Sequence, residues 1–289
     1  MSLLEVTHLS RHYGDFIAVE DISFSLQAGE LLALIGPNGA GKSTTFNMIG
    51  GQLAVTRGQV LLEGKPITNL PPRRIWKKGV GRTFQIAATF GSFTVAQNVQ
   101  NALLSHHGRS YSFWQSADRL YREQANALLE QVGMLSQADR HCSELAYGDI
   151  KRVELAMALA SEPRLLLMDE PTAGMAPQER QDLMALTRNV ARARNTGVLF
   201  TEHSMDVVFG FADRILVLAR GQLIAQGTPQ DIRQNPQVQQ VYFGAGGALP
   251  AESPSDPTKA RTSGTSSRMN ESNKMDEINA TPRPNSRDQ

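Results

Sequence analysis

The sequence predicts an α/β fold, with a parallel-sheet core, an antiparallel β-layer beside it and an inserted group of helices. Three observations carry that expectation. Four short runs, at 31–35, 165–169, 198–201 and 215–218, are apolar almost throughout, as strands covered on both faces must be. Helical patterns separate these runs, the alternation that winds strands in parallel. The first run leads directly into a glycine-rich turn and then a helix, between Gly36 and Thr44.

Taken in chain order, the segments at 3–9, 22–26 and 59–62 alternate or sit between glycine turns such as Ala28-Gly29 and Arg57-Gly58. That pattern suits an antiparallel layer. From Thr94 to Ala160 strand signals vanish and helix patterns dominate, broken at Gly108 and Gly133, so a helical insertion over about 86–160 is expected. Beyond the run at 165–169, Pro177 followed by Glu179 marks a helix start. Thr228, Pro229 and Asp231 mark another as N-cap, first position and acidic first turn. No repeat is visible, so one nucleotide-binding unit is expected over 3–244. Residues 245–289 are rich in Gly, Pro, Ser, Thr and Asn without apolar periodicity, and are expected to form a disordered tail.

Composition narrows the function. The 289 residues are 40% hydrophobic and 20% charged, enough apolar content for a substantial core. A formal net charge of +1 provides no global field for nucleic acid, and no nucleic-acid partner is expected. The one cysteine, Cys142, cannot form an intramolecular disulfide and suits a reducing compartment. The opening MSLLEVTHLS lacks the basic and apolar regions of a secretion signal, and no apolar run is long enough to span a membrane.

The chemistry starts with Gly36, Pro37, Asn38, Gly39, Ala40, Gly41, Lys42, Ser43 and Thr44, which read GPNGAGKST. Gly at 36 and 41, Lys at 42 and a hydroxyl at 43 have the spacing of a loop that wraps a phosphate chain in backbone N–H groups. Lys42 can reach the outer phosphates as a point charge and the Ser43 hydroxyl can ligate Mg²⁺. The helix starting near Lys42 points its positive end at the anion. Asp169 and Glu170 end the apolar run at 165–169, where an α/β sheet places its site. Asp169 can hold Mg²⁺ through water, and Glu170 can polarise an attacking water as general base.

From residue 3 to 243 the sequence resembles the ATP-binding subunits of ABC transporters, on several motifs in that family's order. Tyr13, in Arg11-His12-Tyr13-Gly14, matches the aromatic residue that stacks on adenine, with Val19 as its packing partner. Gln85, in Gly81-Arg82-Thr83-Phe84-Gln85, matches the glutamine that senses Mg²⁺ and water and faces the membrane partner. His203, in Thr201-Glu202-His203, matches the switch histidine at the γ-phosphate. The resemblance implies a P-loop NTPase (RecA-like) core and the cofactors ATP and Mg²⁺. It places Ser43, Gln85 and Asp169 at the metal, and Lys42, Gln85, Glu170 and His203 in hydrolysis. The implied partners are transmembrane permease subunits, a second ATP-binding subunit, identical or paralogous, and indirectly an extracytoplasmic solute-binding protein. The chain would then be peripheral on the cytoplasmic face of the cell membrane. Residues 86–94, with Phe90 and Phe93, would face the permease.

The family's signature loop, usually LSGGQ, corresponds here to Leu145, Ala146, Tyr147, Gly148 and Asp149. In the family this loop caps the γ-phosphate held by the opposite subunit. Ala146 has no hydroxyl for that contact, while the helix after Gly148 keeps its dipole and backbone donors. Asp149 is expected to cap that helix. Thr172, Ala173, Gly174, Met175 and Ala176 replace a stretch that often carries an aspartate crossing the dimer seam. With Phe46-Asn47, RTFQ, LAYG and AGM before Pro177, the chain is most similar to importers of branched-chain and other neutral amino acids. Urea and amide importers are similar too, and a soluble ABC-type regulatory ATPase without a permease is the other alternative.

Overall fold

The computed structural model describes residues 2–83, 89–107 and 121–243. The chain enters on an antiparallel hairpin, β1 (Leu4–Tyr13) and β2 (Phe16–Leu26), turned at Gly14 with φ 58°. Next come β3 (Leu31–Ile35) and α1 (Lys42–Ile49), then β4 (Arg57–Leu62) and β5 (Lys65–Pro66), which return to the first hairpin. They complete a four-stranded sheet in the order β2-β1-β4-β5, with β1·β2, β1·β4 and β4·β5 all antiparallel.

A short α2 (Pro72–Lys77) leads to β6 (Val80–Thr83), and then α3 (Val95–His106), α4 (Arg122–Gln131) and α5 (Tyr147–Leu159) follow. Thr94 caps α3 in a box with Gln97, and Gly133, at φ 70°, closes the turn after α4. The remaining elements are β7 (Leu165–Asp169), α6 (Pro177–Arg194), β8 (Gly197–Thr201), α7 (Met205–Phe211), β9 (Arg214–Ala219), β10 (Gln222–Gly227), α8 (Pro229–Gln234) and α9 (Pro236–Phe243). As expected, α6 starts with Pro177, and the Ala176 N–H donates to Glu179 at 3.0 Å. Thr228 likewise caps α8 in a box with Asp231. No helix among the described residues is long and apolar enough to cross a membrane.

The second sheet has the order β10-β9-β3-β8-β7-β6, parallel from β9 to β6 with β10 antiparallel at the edge. Its central strands are apolar without alternation because each face meets a different core. On β3, Leu31, Ala33 and Ile35 face one core, while Leu32 and Leu34 face the other. Leu166 and Met168 against Leu165 and Leu167 on β7, and Ile215 and Val217 against Leu216 and Leu218 on β9, divide the same way. The first core is shared with α3, α4, α5 and α6 through Val99, Leu129, Leu155 and Met184. The second holds Phe46 and Ile49 of α1 and the inner face of the antiparallel layer, including Val6, Ile22 and Val60. Thus α1 lies between the two sheets.

Three strands were not expected from the sequence. β5 is only two residues long. β6 is a four-residue edge strand containing Gly81 and Arg82. β10 is a polar edge strand joined to β9 by Arg220 and Gly221, both at positive φ. That geometry makes a tight hairpin without the Asn-Gly or Asp-Gly signal that usually marks one. The expected tail at 245–289, Gly108, and residues 86–88 of the expected insertion lie outside the described residues.

Candidate functional site

The phosphate-loop residues Gly36–Ala40 connect β3 to Gly41, the N-cap of α1, which has φ 103°. A Cβ on Gly41 would lie 2.8 Å from the Ala18 carbonyl oxygen and 3.0 Å from Val19 Cγ2, and one on Gly36 would lie 2.3 Å from the Leu218 carbonyl oxygen. Glycine is therefore required sterically at both positions. The Gly221 N–H donates to the Ala40 carbonyl at 3.1 Å, and the Glu20 N–H to the Gly221 carbonyl at 2.8 Å, so the β9–β10 turn buttresses the loop. Lys42 folds back into it, its Nζ donating to the carbonyls of Gly36 at 2.8 Å and Pro37 at 3.2 Å. Burial holds the Lys42 ammonium below its ordinary pKa, opposed by the negative charges of Glu170 and Asp169. Pro37, Asn38, Gly39 and Ser43 are exposed and Thr44 is half-buried.

Asp169 ends β7, with Thr201 of β8 as its register partner. The Thr201 hydroxyl donates to Asp169 Oδ1 at 2.7 Å and accepts the Glu170 N–H at 3.0 Å. One side chain thus orients both carboxylate residues. Glu170, at φ 48°, brings Oε1 to 2.9 Å from His203 Nε2. Beneath them, buried Glu202 accepts from the Thr172 N–H at 2.8 Å and hydroxyl at 2.7 Å through one oxygen, and from the His203 N–H at 3.2 Å through the other. Arg82 of β6 lies 3.7 Å from Asp169 Oδ2 and donates to Asn47 Oδ1 of α1 at 3.1 Å and to Gln52. Burial pulls its pKa down and the Asp169 charge opposes that pull.

Tyr13 sits at the hairpin tip, 47% exposed, with Phe16 exposed beside it. Val19 is fully buried, with Cγ2 against Gly41 of the phosphate loop, and is the register partner of Arg11, two residues from Tyr13. Gln85 lies outside the described residues.

Two details at the signature loop differ from expectation. The helix begins at Tyr147, with Ala146 extended as N-cap, so Gly148 lies inside the first turn and is buried. Asp149 lies in the first turn as an acidic residue facing the dipole, but this terminus has no side-chain cap hydrogen bond, so the expected cap is not formed. A Cβ on Gly148 would lie 3.1 Å from Glu179 Oε1 and 3.5 Å from the Met175 side chain, and one on Gly174 would lie 3.7 Å from Tyr147. The loop of Leu145, Ala146, Tyr147, Gly148 and Asp149 therefore packs against the segment after Glu170.

The structure brings Lys42, Asp169, Glu170 and His203 into one electrostatic neighbourhood. It adds Thr201, Glu202 and Arg82, which sequence reasoning did not single out. Strand register is the signal that links Thr201 to Asp169, and it is invisible without the pairing of β7 with β8. Among the described residues, no group of three or more His, Cys, Asp or Glu is placed to hold a metal. The oxygen donors Ser43 and Asp169 fit a hard cation that takes its remaining ligands from phosphate and water.

The sheet order, the glycine loop ahead of α1 and the carboxylates at the end of β7 define a phosphate-loop nucleotide-binding protein. The chain belongs to the ABC transporter family: the profile described as "ABC transporter" matches residues 19–173. A second, "Branched-chain amino acid ATP-binding cassette transporter", matches residues 222–248. The family's ATP-binding cassettes are ATPases that power transport. The chain is 38% identical over 252 residues to the high-affinity branched-chain amino acid transport ATP-binding protein LivG of Escherichia coli, covering 84% of this chain and 98% of that one. With BraF of Pseudomonas aeruginosa, a protein of the same description, it shares 36% identity over 249 residues, again covering 84% and 98%. Among solved structures, the ADP conformation of MJ1267, an ATP-binding cassette of an ABC transporter, matches with a TM-score of 0.76 and 31% identity over 84% of this chain and 99% of that one. A nucleotide-free ATP-binding cassette from an ABC transporter matches with a TM-score of 0.73 and 31% identity, covering 84% and 100%.

Proposed function

We propose that this chain is the ATP-binding and ATP-hydrolysing subunit of an importer for branched-chain or other neutral amino acids. The observation that carries the reading is the convergence of the Lys42 ammonium with Asp169 and Glu170 at one end of the parallel sheet, with Glu170 Oε1 2.9 Å from His203 Nε2. The descriptions of LivG and BraF support the solute class. The profile match at 222–248 supports it independently.

In this reading the backbone N–H groups of residues 36–44 hold the phosphate chain. Lys42 exchanges its loop carbonyls for phosphate oxygens, and Tyr13 stacks on adenine. Val19 supports the loop from below. Ser43 and Asp169, with Gln85, would hold Mg²⁺, which would neutralise phosphate charge. Glu170 takes a proton from the attacking water at its carboxylate, and His203 keeps that carboxylate oriented until it turns to the γ-phosphate. Fixed dipoles and charges around the phosphates supply most of the transition-state stabilisation.

A second ATP-binding subunit closes the site, each contributing its signature loop to the other's nucleotide. This chain's loop, with Ala146 in place of serine, serves the partner's nucleotide less well than residues 36–44 serve its own. Phe90 and Phe93, 51% and 40% exposed with rings 5.2 Å apart, form the contact with a permease helix on the cytoplasmic face of the membrane. An extracytoplasmic binding protein delivers the solute to that permease.

The test is Glu170→Gln, assayed for ATP binding and turnover. Binding should persist while turnover falls at least about 100-fold. Undiminished turnover would remove Glu170 from the role.

A further inference from the structure

Residues two apart on a strand project from the same face, and on β1 that places Arg11 beside Tyr13. The Arg11 guanidinium carbon lies 4.3 Å from the centroid of the Tyr13 ring. Arg11 Nη1 donates to the Ala54 carbonyl at 3.0 Å, in the segment between α1 and β4. The guanidinium is therefore anchored independently of the ring that it covers. Its strand position pairs with Val19, the residue beneath Gly41, so the ring and the phosphate loop are held by one hairpin. Tyr13 is nonetheless 47% exposed.

An aromatic ring presents a negative face to a cation, and a cation fixed over one face leaves the other free for a second flat π-system. We propose that Arg11 is a positioning residue for nucleotide binding: anchored on Ala54, it fixes the Tyr13 ring through one face and sets how strongly a nucleobase stacks on the half-exposed ring. This rests on the reading of Tyr13 as the base platform. Because the brace acts through a π-face rather than base-edge hydrogen bonds, it serves adenine and guanine nucleotides equally.

The experiment measures dissociation constants of ATP, GTP and inorganic tripolyphosphate for the full chain and for Arg11→Ala, Arg11→Lys, Tyr13→Ala and the Arg11→Ala/Tyr13→Ala double variant, with a melting temperature for each. Arg11→Ala is expected to weaken ATP and GTP by a common factor of about two to five and to leave tripolyphosphate unchanged. Arg11→Lys, which keeps the charge, recovers part of the loss, and Arg11→Ala adds nothing in the Tyr13→Ala background. Unchanged ATP affinity in Tyr13→Ala would refute the platform reading itself. A clear loss in Tyr13→Ala with none in Arg11→Ala would leave the platform standing and overturn the brace. Equal weakening of tripolyphosphate and ATP by Arg11→Ala, or an undiminished effect in the double variant, would also overturn it, because Arg11 would then act through charge or local folding.

Discussion

Thr201→Val is the sharpest single test of how this site is held together. Valine has nearly the shape of threonine, and Thr201 is buried, so the change removes a hydroxyl with little change in packing. Two hydrogen bonds are lost: the 2.7 Å bond donated to Asp169 Oδ1 and the 3.0 Å bond accepted from the Glu170 N–H. The first, to a charged acceptor, contributes about 1.5–3 kcal/mol and the second about 0.5–1.5 kcal/mol. Two effects reduce the sum. The Glu170 N–H keeps the Thr201 main-chain carbonyl at 3.2 Å, and the added methyl gains about 0.8 kcal/mol of burial. A net loss of about 2 kcal/mol follows, or a fall in Tm of about 4–8 °C for a chain of this size. If about 1.4 kcal/mol of that orientation is retained in the transition state, turnover drops about tenfold. Calorimetric melting and steady-state ATP hydrolysis by the purified chain measure both, with Thr201→Ser as the hydroxyl-keeping control. Wild-type turnover and Tm in Thr201→Val would refute the idea that this hydroxyl orients the two carboxylates.

Gly41→Ala should lower stability and ATP affinity together, because the new Cβ meets the Ala18 carbonyl oxygen at 2.8 Å while φ is 103°. Gly39→Ala, at φ 79° with nothing within 4 Å, should show only the strain of about 1–2 kcal/mol, and parallel melting and nucleotide titrations separate the two. Burial holds Lys42 below its ordinary 10.5, so between its folded pKa and 10.5 the unfolded chain binds more protons, and this group makes stability rise with pH there. Bound phosphates favour the ammonium, so calorimetric ATP affinity should be greatest below the folded pKa and decline as pH rises through that window. The side chains of Lys151 and Glu154 pair at 2.9 Å with exposures of only 3% and 5%. Replacing either alone with a hydrophobic residue should cost about 3–5 kcal/mol in urea unfolding, and the double replacement should recover most of it.

The central strands were legible because burial on both faces removes alternation, which left the runs ending at Ile35, Asp169, Thr201 and Leu218 nowhere else to go. The phosphate loop was legible because close backbone approach restricts residue type, as Gly36 and Gly41 show against Leu218 and Ala18. Edge strands escaped: half of β6 is Gly81 and Arg82, so no apolar run marks it although most of it is buried, and β10 is polar with no residue fully buried. The extension of β2 across Phe16 and Ile17 also escaped, since both are exposed at the hairpin tip. Thr201 and Arg82 act through partners 32 and 87 residues away in sequence, and such contacts exist only after the strands have paired. Asp149 does not cap because the helix starts at Tyr147, two residues before Asp149, with Ala146 at the N-cap position.

Glu202 carries a mechanical consequence. Its two oxygens grip the Thr172 backbone and hydroxyl on one side and the His203 backbone on the other, like a pin through two hinge leaves. Thr172 begins the short span to Gly174 and Met175, which abut Tyr147 and Gly148 at the head of α5. A displacement of the His203 backbone is therefore expected to reach, through Glu202 and Thr172, the segment that abuts Tyr147 and Gly148. Amide hydrogen exchange at Thr172 and His203 should slow or quicken in concert when nucleotide is added.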